Sequence, residues 1–250
     1  MNGVHWSAIP PTLSHPVITG PDNLFSLPDL GSLLREELAR VPLHAARLPA
    51  GRVLLMQPSA ESRALMADTR HLASVRVHAD QDLLRGDVAC AADALPWEDD
   101  AFQLVIAQHA GDVLPQGSAM IDELARVLAP GGTLLWFGLN PWSPWLAWIH
   151  WQARRGMPVP RATQADAARK RMHGCQLAAW GPDYLGTCWP QKSGQPGRIH
   201  QGRLLAPLRN AYLVAASKQR SVLTPLRPRL VRERAAIRPQ LATPSRRARA

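Results

Sequence analysis

Residues 101–108 (AFQLVIAQ) form an almost unbroken apolar run of strand length, and a helix-spaced segment and a second apolar run follow it closely. A strand with apolar side chains at successive positions is covered on both faces, as in the middle of a parallel sheet. The helix is predicted over 118–128. Ser118 stands at its N-cap, and Ile121, Leu124, Val127 and Leu128 share one face. Ala129-Pro-Gly-Gly132 is read as its end, because proline cannot continue a helix and glycine accepts the left-handed turn. Thr133 to Gly138 is the next strand. Strand, helix and strand joined by short connections specify an α/β fold with a parallel sheet.

The rest of the chain extends this pattern. Residues 24–40 carry Leu30, Leu33, Leu34 and Leu38 at helical spacing, with Val41 beyond, and Asp29 is placed to cap that helix. Arg52 to Met56 is a short buried strand, residues 61–70 suit a short helix, and Ser74 to His78 is a second strand. Asp87 to Ala92 is a third, short strand, and Ala211 to Ala215 is the last. Residues 1–22 and 225–250 read as disordered ends flanking one domain over 23–224, with a variable region at about 142–208. Within that region Trp142, Trp145, Trp148 and Trp151 recur every third residue. They suit an acceptor-site lid, an interfacial membrane contact, or a helix packed on the sheet edge.

Charge separates the domain from its C-terminal end. Thirteen Lys/Arg and one acid, Glu233, lie from Arg198 onward, against 16 basic and 18 acidic residues before it. The basic tail suits contact with nucleic acid or an anionic membrane, or simple solvation. No apolar run is long enough for a membrane-spanning helix, and the N-terminus lacks a secretory pattern, so a cytoplasmic location is expected. Cys90, Cys175 and Cys188 have no CxxC spacing and read as reduced thiols, with no metal site expected.

In order and spacing, the strands 52–56, 74–78 and 101–108, the acidic Asp93-Ala-Leu-Pro, the helix 118–128, Pro-Gly-Gly and the strand 133–138 resemble the class I S-adenosylmethionine-dependent methyltransferases, in particular the bacterial type 11 kind. The resemblance covers roughly 24–142 and returns at 209–229. It implies a Rossmann-like, doubly wound, mostly parallel sheet with S-adenosylmethionine at the carboxyl ends of the strands. It implies that the loop from Gln57 through Ser59 to Glu61 passes under the methionine part of the donor, with Gln57 and Ser59 as its contacts. Asp80, or His78 in a shifted register, would hold the ribose. Asp93, Ala94 and Leu95 would face the adenine, unless Asp93 merely caps its turn. Gln108 and His109 would lie beside the sulfonium and a small-molecule acceptor. His109, then Asp112, are the candidate bases if the acceptor carries a proton to be removed.

One stretch departs from the family. Its glycine-rich loop corresponds here to Gln57, Ser59 and Glu61, with Pro58 between them. Proline removes an N–H donor, and Ser59 and Glu61 are placed to occupy a helix N-terminus that would otherwise attract the donor's carboxylate. Two functions remain open on sequence: a methyltransferase, or a non-catalytic methyltransferase-like binding or scaffold protein. An RNA-directed role of the tail is a third, with no RNA-module signature behind it.

Overall fold

The computed structural model describes residues 24–26, 28–65, 67–69, 72–154, 159–189 and 203–219. The expected disordered ends, 1–22 and 225–250, lie outside the described residues. The strands are β1 (Gly51–Gln57), β2 (Leu72–Asp80), β3 (Leu83–Gly86), β4 (Cys90–Ala91), β5 (Phe102–Gln108), β6 (Leu128–Leu139), β7 (Leu177–Leu185) and β8 (Ala211–Lys218). The helices are α1 (Pro28–Leu38), α2 (Val41–Ala45), α3 (Ala110–Val113), α4 (Gly117–Val127), α5 (Pro144–Ala153) and α6 (Ala165–Gly174).

The strands form one sheet in the order β4-β3-β2-β1-β5-β6-β8-β7. β2, β1, β5 and β6 run parallel, while β3 and β8 pair antiparallel with their neighbours. The chain moves outward from β1 in one direction to β2 and in the other to β5. The carboxyl ends of β1 and β5 therefore meet at the point where strand order reverses, the ligand end of such a sheet.

Side-chain alternation builds two cores. Leu54, Met56, Val105, Ala107, Leu134 and Trp136 pack toward α4 and α6, with Ile121, Leu124, Ala168 and Met172. Val53, Leu55, Leu104, Ile106, Leu135 and Phe137 pack the other way, against Leu30, Leu33 and Leu34 of α1 and Trp145 and Ile149 of α5. This two-sided burial is why the strand runs lack polar alternation.

Several local expectations change. α1 begins at Pro28, before the expected cap Asp29, and α4 at Gly117, before Ser118. Ala129 to Gly132 belong to the start of β6 rather than to a free turn, although Gly131 keeps the positive φ of 81° that favours glycine. The third strand shrinks to Cys90–Ala91, and β3 precedes it as half of an antiparallel excursion. Among the described residues of the predicted helix over 61–70, the helical part is one 3₁₀ turn, Glu61–Ala64, after which Leu65 is extended. The buried Gln57 amide donates to the carbonyls of Ser62 and Leu65, which a continuing helix would need as acceptors. The region without readable periodicity holds α6 and β7. α6 buries the small residues Ala165 and Ala168, and most of β7 is only half-buried, so neither projects a strong apolar stripe.

Candidate functional site

β1 and β5 end side by side, next to β2. Gln57 pairs in register with His78, and Met56 with Ala107, so Gln57 and Gln108 are the last residues of β1 and β5. Both glutamines are fully buried on the face covered by α1. Gln108 Nε2 donates to the Leu34 carbonyl and to Glu37 Oε2, each at 2.9 Å. The Oε1 atoms of Gln57 and Gln108, and Nδ1 of His78, are buried without a hydrogen-bond partner. Unpaired buried polar atoms are costly, and here they gather at the ligand end of the sheet.

The next residue, His109, is fully buried between two carboxylates. Its Nδ1 lies 2.8 Å from Asp112 Oδ2 and its Nε2 lies 2.8 Å from Glu37 Oε1. Its ring stacks on Phe25 with centroids 4.6 Å apart. The backbone is left-handed there, with φ 50°, which reverses the chain from β5 into α3. Gly111 follows because an added Cβ would stand 2.4 Å from the Trp136 ring. Asp112 Oδ2 also accepts the Leu139 N–H at 2.8 Å, so the cluster joins α1, β5, α3 and the end of β6.

Burial by itself would lower the imidazole pKa. The charge of Glu37 and the hydrogen bonds the ring donates to Asp112 and Glu37 outweigh that and raise it to about 9. Burial raises the Asp112 carboxyl against the opposing pull of His109. At neutral pH His109 is thus an imidazolium clamped by acids. Neither nitrogen is open, so taking a proton from an acceptor would require the cluster to part. The carboxylates flank the ring instead of converging with it. Among the described residues, no group of three His, Cys, Asp or Glu is placed to hold a metal ion.

Glu37 is the member that sequence reading omitted. Its signal was present: it falls on the same helical face as Leu30, Leu33, Leu34 and Leu38, where an acid must be buried and therefore partnered.

The glycine-less loop is closed on itself. Ser59 Oγ lies 2.9 Å from Ser62 Oγ and accepts the Ser62 N–H at 3.4 Å, while Glu61 is exposed. On the ribose side Asp80 is paired with Arg85 Nε at 2.8 Å, both partly exposed. Asp93 and Ala94 are exposed and Leu95 is buried. The Leu95 N–H donates to Glu123 Oε2 at 3.0 Å, so Glu123, not Asp93, braces that turn.

The residues therefore fit S-adenosylmethionine unevenly. The unpaired Gln57 and Gln108 oxygens suit its ammonium and hydroxyl donors. The self-bonded serines leave less for its carboxylate.

Comparison with known proteins agrees with the sheet. Residues 40–136 match the family model described as a methyltransferase domain, of the type 11 kind. A phthiotriol/phenolphthiotriol dimycocerosates methyltransferase from Mycobacterium ulcerans is 39% identical over 96 residues, which cover 38% of this chain and 33% of that protein. A SAM-dependent methyltransferase from Archaeoglobus fulgidus superposes with a TM-score of 0.52 at 12% identity, covering 75% of this chain and 94% of its own. That likeness is one of fold. A possible histamine N-methyltransferase from Thermotoga maritima gives 0.49 at 15% identity, covering 78% and 93%.

Proposed function

Because residues 40–136 form a domain of the class I S-adenosylmethionine-dependent methyltransferase family, we propose that this chain transfers a methyl group from that donor to a small-molecule acceptor. The observation that carries the reading is the pair of unpaired buried oxygens, on Gln57 and Gln108, at the strand switch point inside the matched domain. When bound, the donor supplies an already reactive sulfonium methyl. The protein's share is to hold and align the reactants. In this reading Gln57, Ser59 and Gln108 hold the methionine side, Asp80 the ribose, and Asp93, Ala94 and Leu95 the adenine. His109 and Asp112 border the acceptor. By its name the Mycobacterium relative acts on phthiotriol and phenolphthiotriol dimycocerosates, so hydrophobic alcohols are the acceptors to test first.

The reading includes a cytoplasmic location; among the described residues no helix is long and apolar enough to cross a membrane. Contact of the basic tail with nucleic acid or an anionic membrane is a separate proposal, supported by charge alone.

Calorimetric titration with S-adenosylmethionine tests the function. Binding that weakens in Asp93→Ala supports both the activity and the adenine side. No binding at millimolar donor refutes it. If the triple variant Gln57→Gly, Pro58→Ala, Glu61→Gly then binds, the fold is competent and the non-catalytic alternative holds.

A further inference from the structure

The recurring tryptophans divide by role. Trp145 is buried with Ile149 against the sheet, and its indole N–H donates to Thr187 Oγ1 at 3.3 Å. Trp142, just beyond β6, is instead 70% exposed. It belongs to a clasp of three connections centred on the buried Asn140. Asn140 Nδ2 donates to the Pro207 and Arg209 carbonyls at 2.7 and 2.8 Å, and Oδ1 accepts the Trp142 N–H at 3.1 Å. The Asn210 N–H donates to the Thr187 carbonyl at 3.0 Å, Thr187 Oγ1 to the Trp189 carbonyl at 2.9 Å, and Cys188 Sγ to the Leu205 carbonyl at 3.4 Å. Along with Trp142, these connections hold out Trp189, 67% exposed, and Leu205 and Leu208 of the 3₁₀ turn Arg203–Leu208, 47% and 39% exposed.

Exposed apolar side chains gathered on one edge mark an interaction surface, and here charge selects the partner. Residues 124–165 and 184–232, which supply the clasp, contain no Asp or Glu, and the first segment carries Arg154, Arg155 and Arg161. Arg154 and Arg161 are exposed. The acid that approaches from elsewhere, Glu36 of α1, accepts the Gly186 N–H at 3.3 Å. Tryptophan favours the headgroup region of a bilayer, and arginine its anionic surface. The surface also borders the candidate acceptor side. Leu139, next to Asn140, donates its N–H to Asp112 Oδ2 at 2.8 Å, and the Arg161 N–H donates to the Asp112 carbonyl at 2.7 Å.

We propose that this edge of the molecule docks on an anionic membrane surface, with Trp142, Trp189, Leu205 and Leu208 entering the headgroup region. Burial of their apolar surface drives the insertion, and the acid-free surroundings remove the repulsion that lipid phosphates would otherwise meet. Docking does not depend on methyl-donor binding.

The test is co-sedimentation of the full chain, without methyl donor, with vesicles of phosphatidylcholine and phosphatidylglycerol in equal parts. The protein should bind, and part of the binding should survive about 0.5 M salt, which screens the basic tail but not apolar insertion. Trp142→Ser combined with Trp189→Ser should lower the affinity about tenfold or more at low and high salt. Leu205→Asp combined with Leu208→Asp should do the same, and it decides the matter if the tryptophan variant fails to fold. Leu83→Ser, at an exposed leucine of β3 near the opposite end of the sheet, should leave binding unchanged. Absent vesicle binding, or binding that both double variants retain in full, overturns the proposal. So does a dimer in sedimentation velocity that the double variants break, since a second copy of the chain then covers this surface.

Discussion

Replacing Glu37 tests the buried cluster most directly. Glu37 is fully buried, and both of its oxygens are used, on His109 Nε2 at 2.8 Å and Gln108 Nε2 at 2.9 Å. Glu37→Ala leaves a buried imidazolium short of one partner, which costs about 3–5 kcal/mol. At about 2–4 °C per kcal/mol for a domain of this size, Tm should fall by roughly 6–20 °C. Glu37→Gln keeps an acceptor and should cost about 1–3 kcal/mol. The pH dependence is the sharper readout. His109 rises from 6.5 to about 9 on folding, so its contribution, about 3 kcal/mol, is complete below pH 6.5 and is lost as pH climbs through about 9. The raised Asp112 carboxyl acts in the same direction. Urea unfolding of wild type between pH 6.5 and 9.5 should show that loss, and Glu37→Gln should flatten it. Parallel pH curves for the two proteins would refute the charged-clamp assignment.

Gly111→Ala should destabilise the fold by about 1–3 kcal/mol in urea unfolding, because the added methyl meets the Trp136 ring at 2.4 Å. Arg126 bonds Glu123, Asp99 and the carbonyls of Leu95 and Trp97, with its side chain about a third exposed. Arg126→Ala should cost about 1–2 kcal/mol and raise amide exchange at Leu95, which a Trp97 fluorescence shift would accompany. Deleting 225–250 should lower affinity for RNA or anionic vesicles and flatten its salt dependence; an unchanged salt slope excludes the tail from that contact.

The central strands were legible because burial on both faces demands apolar side chains at nearly every position, and Phe102 to Gln108 meets that demand without help from context. α4 was legible for a related reason, its apolar face being complete from Ile121 to Leu128. The outer elements were not. β4 and β7 are the edge strands and β3 pairs with the short β4, so partial exposure relaxes their pattern, and α6 packs through alanines that signal nothing by themselves. The turn after β1 is instead held by a contact from the end of that strand, the Gln57 amide on the Ser62 and Leu65 carbonyls, which no local propensity contains.

The amino-acid sequence alone determined the layered α/β fold, the order of its central strands and the family resemblance, because these follow from the spacing of apolar residues and turn formers along the chain. Only tertiary structure decided the chemistry of the site. It carried Glu37 across 72 positions to within 2.8 Å of His109, placing that candidate base between two buried acids. It also left Gln57 and Gln108 with unpaired buried oxygens at the carboxyl ends of their strands. Protonation state and hydrogen-bond satisfaction depend on which groups meet in space, and residues far apart in the chain supply them.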